Sequence, residues 1–221
     1  GWTPFQYASY FGQTETVQMM IQSSKDFGID LNAEDNGGWT ALHRACEYGR
    51  TETAQLIIRS SKDFGIDLNV KNRYGWTALH YACSTSYPKT DIVQMIIQSS
   101  KDFGIDLNTK DIDGWTTLHW ACECGETETV QMIIRYSKDF DIDLNAKNND
   151  GWTPFHYASY FGQTKTVQMM IQSSKDFDID LNAKDNGRWT ALHRACEYGR
   201  TETAQLIIQS SKDFGIDLNV K

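Results

Sequence analysis

Four stretches of this chain place a histidine and a cysteine three residues apart: His43 and Cys46, His80 and Cys83, His119 and Cys122, His193 and Cys196. On a helix that spacing puts both side chains on one face, and imidazole with thiolate is a zinc-binding combination. A metal reading does not survive comparison across the chain. The corresponding positions are His156 and Ser159 in one stretch and Gln6 and Ser9 in another, so both ligand types are dispensable. The pair is therefore read as a packing feature, with no metal and no cofactor. Cys124 stands beside Cys122 at a position expected to face solvent, where a reactive thiol would need a neighbour that lowers its pKa. None is evident, and it is read as an ordinary exposed cysteine. No Ser/His/Asp or Cys/His constellation and no phosphate-cradling glycine loop stands out, so the chain is read as a non-enzyme.

What positions these residues is a repeat. Trp-Thr recurs at Trp2, Trp39, Trp76, Trp115, Trp152 and Trp189, at intervals of 37, 37, 39, 37 and 37. A fixed period in this range signals a solenoid-type array and outranks local readings. A longer period lies above it: residues 1–37 match 151–187 except at Gln6/His156, Glu15/Lys165, Gly28/Asp178 and Glu34/Lys184, and residues 38–71 match 188–221 except at Gly38/Arg188 and Arg59/Gln209. A four-repeat cassette has been duplicated. The repeats run 1–37, 38–74, 75–113, 114–150, 151–187 and 188–221, as a single domain.

Each repeat has the same grammar. Thr40 is a candidate N-cap before a short helix that Gly49 ends, and Pro4 and Pro154 fall at a first helical position, where a missing N–H costs nothing. A second helix begins near Thr51-Glu52, with acid in its first turn as the helix dipole prefers. In repeat 1 its apolar face runs Val17, Met20, Ile21, Ser24 and Phe27. Gly28 suits a left-handed C-cap, which Asp141 and Asp178 replace in repeats 4 and 5. An "IDLNAKD"-type extended piece and an Asn/Asp/Gly turn follow.

"GWTPFHYAS", the glycine after it, "VQMMI" and "IDLNAKD" together resemble the ankyrin repeat, over the whole chain. The resemblance implies an all-α solenoid of stacked antiparallel helix pairs with β-hairpin-like loops. Ankyrin units run about 33 residues, so these are longer. The extra residues fall at "SKDF", about one helical turn, and predict a longer second helix. Phe27, Phe64, Phe103, Phe140, Phe177 and Phe214 are expected to extend the core. In repeat 3, "STSYPKTD" predicts a longer turn, with Pro88 opening the next helix. The resemblance also implies that the repeated histidine braces the hairpin, and that Asn32, Asn69, Asn108, Asn145, Asn182 and Asn219 hold it. Ankyrin repeats are sometimes hydroxylated at that asparagine, but the structural role suffices.

By the same resemblance, a partner protein is expected on the concave side, formed by the inner helices and the hairpins. The position after the histidine holds Tyr7, Arg44, Tyr81, Trp120, Tyr157 and Arg194. The end of that helix contributes Tyr10, Phe11, Glu47, Tyr48, Tyr160, Phe161, Glu197 and Tyr198, and hairpin tips add Arg73, Tyr74, Ile112 and Asp113. Aromatic residues and arginine are frequent interface anchors, although some of these rings are expected to pack over neighbouring repeats. The invariant tryptophan is read as structural, a ring bridging successive hairpins, with contact to a partner as the competing reading.

Composition narrows the partners. A formal charge of −8 and 23% charged residues of interspersed sign give no dense basic run to gather phosphates. Nucleic acid is not expected, and no apolar run is long enough to cross a membrane. Five cysteines in 221 residues are not a disulfide framework, which points to an intracellular, cytoplasmic setting. Repeat 6 copies internal repeat 2, so its outer face should be as apolar as a buried one; a longer array or end-to-end self-association is expected. The readings that compete with a partner-binding scaffold are a spacer or spring and a targeting module of a larger enzyme or channel.

Overall fold

The computed structural model describes residues 1–84 and 89–219; the middle of the longer turn expected in "STSYPKTD", with Pro88 as the opening of the next helix, lies outside them. Among the described residues there are twelve helices and no strands. The chain divides into two compact units, Gly1–Ile112 and Asp113–Lys221. Each contains three helix pairs: α1 (Pro4–Phe11) with α2 (Thr14–Phe27), α3 (Ala41–Glu47) with α4 (Thr51–Phe64) and α5 (Ala78–Cys83) with α6 (Thr90–Phe103) in the first; α7 (Thr117–Cys124) with α8 (Thr127–Phe140), α9 (Pro154–Tyr160) with α10 (Thr164–Phe177) and α11 (Ala191–Glu197) with α12 (Thr201–Phe214) in the second. Within each unit, inner helices stack on inner helices and second helices on second helices.

The inner helices begin where their threonines place them. Thr3, Thr40, Thr77, Thr116, Thr153 and Thr190 are extended N-caps with a capping box. The second helices reach fourteen residues, through the "SKDF" turn. They end in left-handed C-caps, at Gly28, Gly65, Gly104 and Gly215 and, with φ of 52° and 54°, at Asp141 and Asp178. Leu42, Ala45, Cys46, Ala54, Ile57 and Ile58 show how a repeat fills its core; all are buried. Ser24, Ser61, Ser100, Ser137 and Ser174 are also buried. The Ser24 hydroxyl, for example, donates to the Ile21 carbonyl at 2.7 Å, which satisfies it inside its own helix.

The phenylalanines do not extend the core. Phe27 is 79% exposed, and Phe64, Phe103, Phe140, Phe177 and Phe214 are half-buried. The turn that carries them also carries a lysine, and the lysine of one repeat lies over the ring of the next: Lys25 over Phe64 at 5.0 Å, Lys62 over Phe103 at 5.2 Å, Lys138 over Phe177 at 5.3 Å and Lys175 over Phe214 at 5.1 Å. The added turn builds a surface row of cation–π contacts on the second-helix side.

The hairpin loops close as tight turns. Asp35 donates its N–H to the Trp39 carbonyl at 3.0 Å, and Gly38 donates back to Asp35 at 2.9 Å. Successive loops are joined by backbone bonds such as Arg73 N–H to Gly37 O, 3.0 Å, and Asn186 N–H to Asp150 O, 3.0 Å. This approach is close enough to demand glycine: a Cβ on Gly75, which sits at φ +77°, would stand 2.8 Å from the Ile112 nitrogen. The asparagines complete the row. Asn32 Nδ2 donates to Gly65 O at 2.8 Å, and Asn32 Oδ1 accepts the Asp67 N–H at 2.8 Å. Asn69, Asn145 and Asn182 repeat both bonds to the loop that follows them. Each amide therefore serves as a two-way bridge between loops.

Candidate functional site: the inner-helix and hairpin face

The histidine that opens each inner helix does structural work with both nitrogens. Thr40 N–H donates to His43 Nδ1 at 3.0 Å, so that nitrogen carries a lone pair. The proton is then on Nε2, which donates to the Trp76 carbonyl at 3.0 Å. His119 to Trp152 O and His156 to Trp189 O are the same contact, each at 3.0 Å. In repeat 1, Gln6 substitutes atom for atom: Oε1 accepts Thr3 N–H at 2.9 Å, and Nε2 donates to Trp39 O at 2.7 Å and Ala33 O at 2.9 Å. Burial holds the His43 pKa down at about 4 and lowers that of His156. The partner three residues on is equally committed to the interior, where burial pushes the Cys46 thiol up to about 12. Among the described residues, no group of three or more potential ligands could hold a metal ion. Burial, then Glu123 and Glu126, raise Cys124 to about 11, which disfavours its thiolate.

The tryptophans are bridged through inserted side chains. The Arg44 guanidinium lies 4.0 Å from the ring of Trp2 and 3.9 Å from that of Trp39. Tyr81 stands 4.1 Å from Trp39 and 4.8 Å from Trp76. The second unit repeats the pattern. Tyr157 is 4.0 Å from Trp115 and 4.9 Å from Trp152. Arg194 is 4.4 Å from Trp152 and 4.6 Å from Trp189. At these four positions the residue after the histidine is thus a wedge between its own repeat's indole and the preceding one.

Each wedge is locked by the Asx residue nine positions earlier in the hairpin. Asp35 Oδ1 accepts the N–H groups of Gly37 and Trp39 at 2.8 and 3.1 Å, while Oδ2 takes Arg44 Nη2 at 2.6 Å. Asp185 holds Arg194 in the same way. Where the wedge is tyrosine, the Asx is asparagine: Asn72 Nδ2 donates to the Tyr81 hydroxyl at 2.7 Å, and Asn148 to the Tyr157 hydroxyl at 2.9 Å. These four Asx residues were not singled out by sequence; the signal was their fixed spacing to the wedge and the agreement of acid with Arg and amide with Tyr.

The remaining candidate residues divide by exposure. Arg44, Tyr81 and Tyr157 are buried in the ladder, and Arg194 is half-buried. Trp120 is half-buried against Trp115, 4.4 Å away. Glu47 and Glu197 pair with the arginine three residues before them, at 3.2 and 2.8 Å. Tyr7, Phe11, Tyr48, Tyr74, Ile112 and Tyr198 are exposed, by 41–61%. In the first unit Tyr10 joins them, 4.7 Å from Phe11 and 4.2 Å from Tyr48. Tyr160 does the same for Phe161 and Tyr198, at 4.8 and 4.2 Å. Arg73 donates to the Tyr74 hydroxyl at 2.7 Å on one hairpin tip. Asp113 and Ile112 lie exposed on another.

A second set of contacts ties the ends of the inner helices. Arg50 Nε donates to Tyr10 O at 2.9 Å, Gln163 Nε2 to Glu123 O at 2.8 Å and Arg200 Nε to Tyr160 O at 2.8 Å; Lys89 reaches Glu47 O likewise. At these four junctions a donor placed before the second helix thereby caps the last carbonyls of the preceding inner helix.

A chain of stacked helix pairs with braced hairpins defines an ankyrin-type repeat protein. The profile for ankyrin repeats in three copies matches residues 1–72, 61–148 and 138–221, and the chain belongs to that family. No curated protein sequence matches it. Among solved structures, the ankyrin repeat domain of Bcl-3, of the IkappaB family, is similar at 24% identity and a TM-score of 0.83, covering 100% of this chain and 90% of that one. The human ASB11 ankyrin repeat domain is similar at 18% identity and TM-score 0.76, with coverage of 100% and 87%. A chain of the Bdellovibrio bacteriovorus complex of the predatory endopeptidase Bd0816 with the immunity protein Bd3460 is similar at 23% identity and TM-score 0.72, with coverage of 95% and 98%. No described helix is long and apolar enough to cross a membrane.

Proposed function

We propose that the chain is a protein-binding scaffold that takes its partner on the inner-helix and hairpin face. The observation that carries this reading is the pair of aromatic clusters left open at the ends of inner helices: Tyr10, Phe11 and Tyr48 in one unit, Tyr160, Phe161 and Tyr198 in the other. Their rings touch one another at 4.2–4.8 Å, yet Phe11, Tyr48 and Tyr198 remain more than 40% exposed. Rigid aromatic area of this kind stabilises a complex with little further loss of side-chain entropy. The ankyrin family is in general a family of non-enzymatic interaction modules, and one structural neighbour comes from a complex with an immunity protein.

Selection of a random twelve-residue peptide library against the protein tests the reading. Binders should weaken at least tenfold, about 1.4 kcal/mol, when Phe11, Tyr48, Phe161 and Tyr198 are all replaced by alanine. Binders indifferent to that variant, yet lost when exposed residues of the second helices are changed, would move the site to the opposite face and refute it.

A further inference from the structure

The chain shows twice how its own residues recognise a guanidinium. The Arg44 guanidinium carbon lies over two indoles, 4.0 and 3.9 Å from their ring centres, with Asp35 at 2.6 Å and Glu47 at 3.2 Å. Arg194 repeats the arrangement with Trp152, Trp189, Asp185 and Glu197. Planar stacking plus a carboxylate is the combination that suits arginine above other side chains.

Repeat 4 has the acid of this arrangement without the base. Glu123 is the counterpart of Glu47 and Glu197, but the position three residues before it is Trp120 rather than arginine. Among the described residues Glu123 has no ion pair, and burial raises its pKa. Glu123 lines a cleft of about 620 Å³ that lies wholly within the second unit. Trp115, Trp152, Tyr160 and Phe161 form its walls, and Asp150 supplies a second carboxylate that has no ion pair among the described residues. Arg194, at one side, is already held by Asp185 and Glu197.

We infer that this cleft receives an arginine side chain of the partner, its guanidinium against the aromatic wall and paired with Glu123 and Asp150. The inference rests on the groove reading and narrows it to a partner segment that is basic at one defined point. Charge complementarity favours such a segment generally, since the chain carries −8.

The probe is the blocked pentapeptide acetyl-Gly-Gly-Arg-Gly-Gly-amide, with its Gln analogue, titrated into the full chain while the indole N–H signals are followed by NMR. The Arg peptide is expected to shift the Trp115 and Trp152 signals saturably, at millimolar concentration, and the Gln peptide to leave them in place. Glu123→Gln should weaken binding roughly tenfold, as loss of a charge-assisted bond does. That variant removes a charge that burial disfavours, so it should fold. Glu202→Gln, on the far helix α12, is expected to bind as the unaltered chain does. Equal shifts from the Gln peptide, or undiminished binding by Glu123→Gln, would overturn the inference. Either result would leave the wider reading standing, because the aromatic clusters are tested separately by the library peptides.

Discussion

Arg44 and Asp35, nine residues apart, meet through a guanidinium nitrogen 2.6 Å from a carboxylate oxygen, and the pairing matches in kind the amide–phenol contact between Asn72 and Tyr81 one repeat later. Both contacts do the same job. The hairpin Asx spends one oxygen on the turn's own N–H groups and its second atom on the wedge between two tryptophans. The Asx must be an acceptor opposite arginine and can be a donor opposite tyrosine. The cassette keeps this agreement: Asp185 faces Arg194 and Asn148 faces Tyr157.

The first prediction follows from that agreement. Arg44→Tyr alone leaves the Asp35 carboxylate without its cation in a site only 8% exposed at the side chain, and should cost about 1–3 kcal/mol. Adding Asp35→Asn recreates the pair of repeat 3 and should recover at least half of the loss. A double-mutant cycle by urea unfolding measures the coupling. Strict additivity of the two single changes would show that the pair is not matched.

The second concerns the tryptophans. Trp39 supports Arg44 on one side and Tyr81 on the other. Its replacement by alanine should cost about 3–5 kcal/mol, as large-to-small changes in packed sites do. Thermal unfolding without any partner reports this directly. A Tm within about 2 °C of the unaltered chain would place the ring outside the framework.

Much of this framework was legible in the sequence because it depends on period and local chemistry. The Thr caps and the left-handed Gly or Asp after "SKDF" follow from residue type and position, and the Asn row and the bracing histidine from the resemblance to the ankyrin repeat. What escaped depends on where the period carries a side chain in three dimensions. The phenylalanines read as core because they lie in register with Val17 and Ile21, yet the last turn of the second helix projects past the layer that covers those residues. There a lysine from the preceding repeat, not another apolar side chain, meets the ring. From sequence alone the wedges are candidate binding residues, because arginine and tyrosine are common interface anchors. Only the interval between hairpin and helix shows that an Asx residue holds Arg44, Tyr81, Tyr157 and Arg194 in the ladder.

A third prediction uses a polar group left without a partner. The Ser159 hydroxyl is fully buried and has no hydrogen-bond partner among the described residues, where other repeats place a buried cysteine such as Cys46 or Cys122. Ser159→Ala removes the desolvated hydroxyl while opening very little space. It should raise stability by about 1 kcal/mol, visible as a higher urea midpoint at unchanged slope. Destabilisation by this substitution would imply that the hydroxyl has a partner.

The last prediction sets the sign of the pH dependence. His43 is buried and neutral, with a pKa of about 4 instead of the ordinary 6.5, because burial penalises the imidazolium. Between those values the unfolded chain binds a proton that the folded chain does not, so stability rises with pH there. The contribution is complete above about pH 6.5 and is lost as pH falls towards 4, at up to about 1.4 kcal/mol per unit. His156 adds to the slope in the same direction. Asp35 acts in a different window: burial would raise its pKa, but the N–H groups of Trp39 and Gly37 and the Arg44 guanidinium outweigh it and hold it low. Its contribution is present above the ordinary carboxylate pKa and disappears only as pH falls through the depressed one. Repeat 1 supplies the control, since Gln6 makes the histidine's contacts without a titrating group. His43→Gln should cost under about 1 kcal/mol at pH 7 and reduce the slope between pH 6.5 and 4 by close to one proton. Urea unfolding at pH 7, 6 and 5 measures it, and an unchanged slope would show that His43 is not the group whose protonation opposes folding.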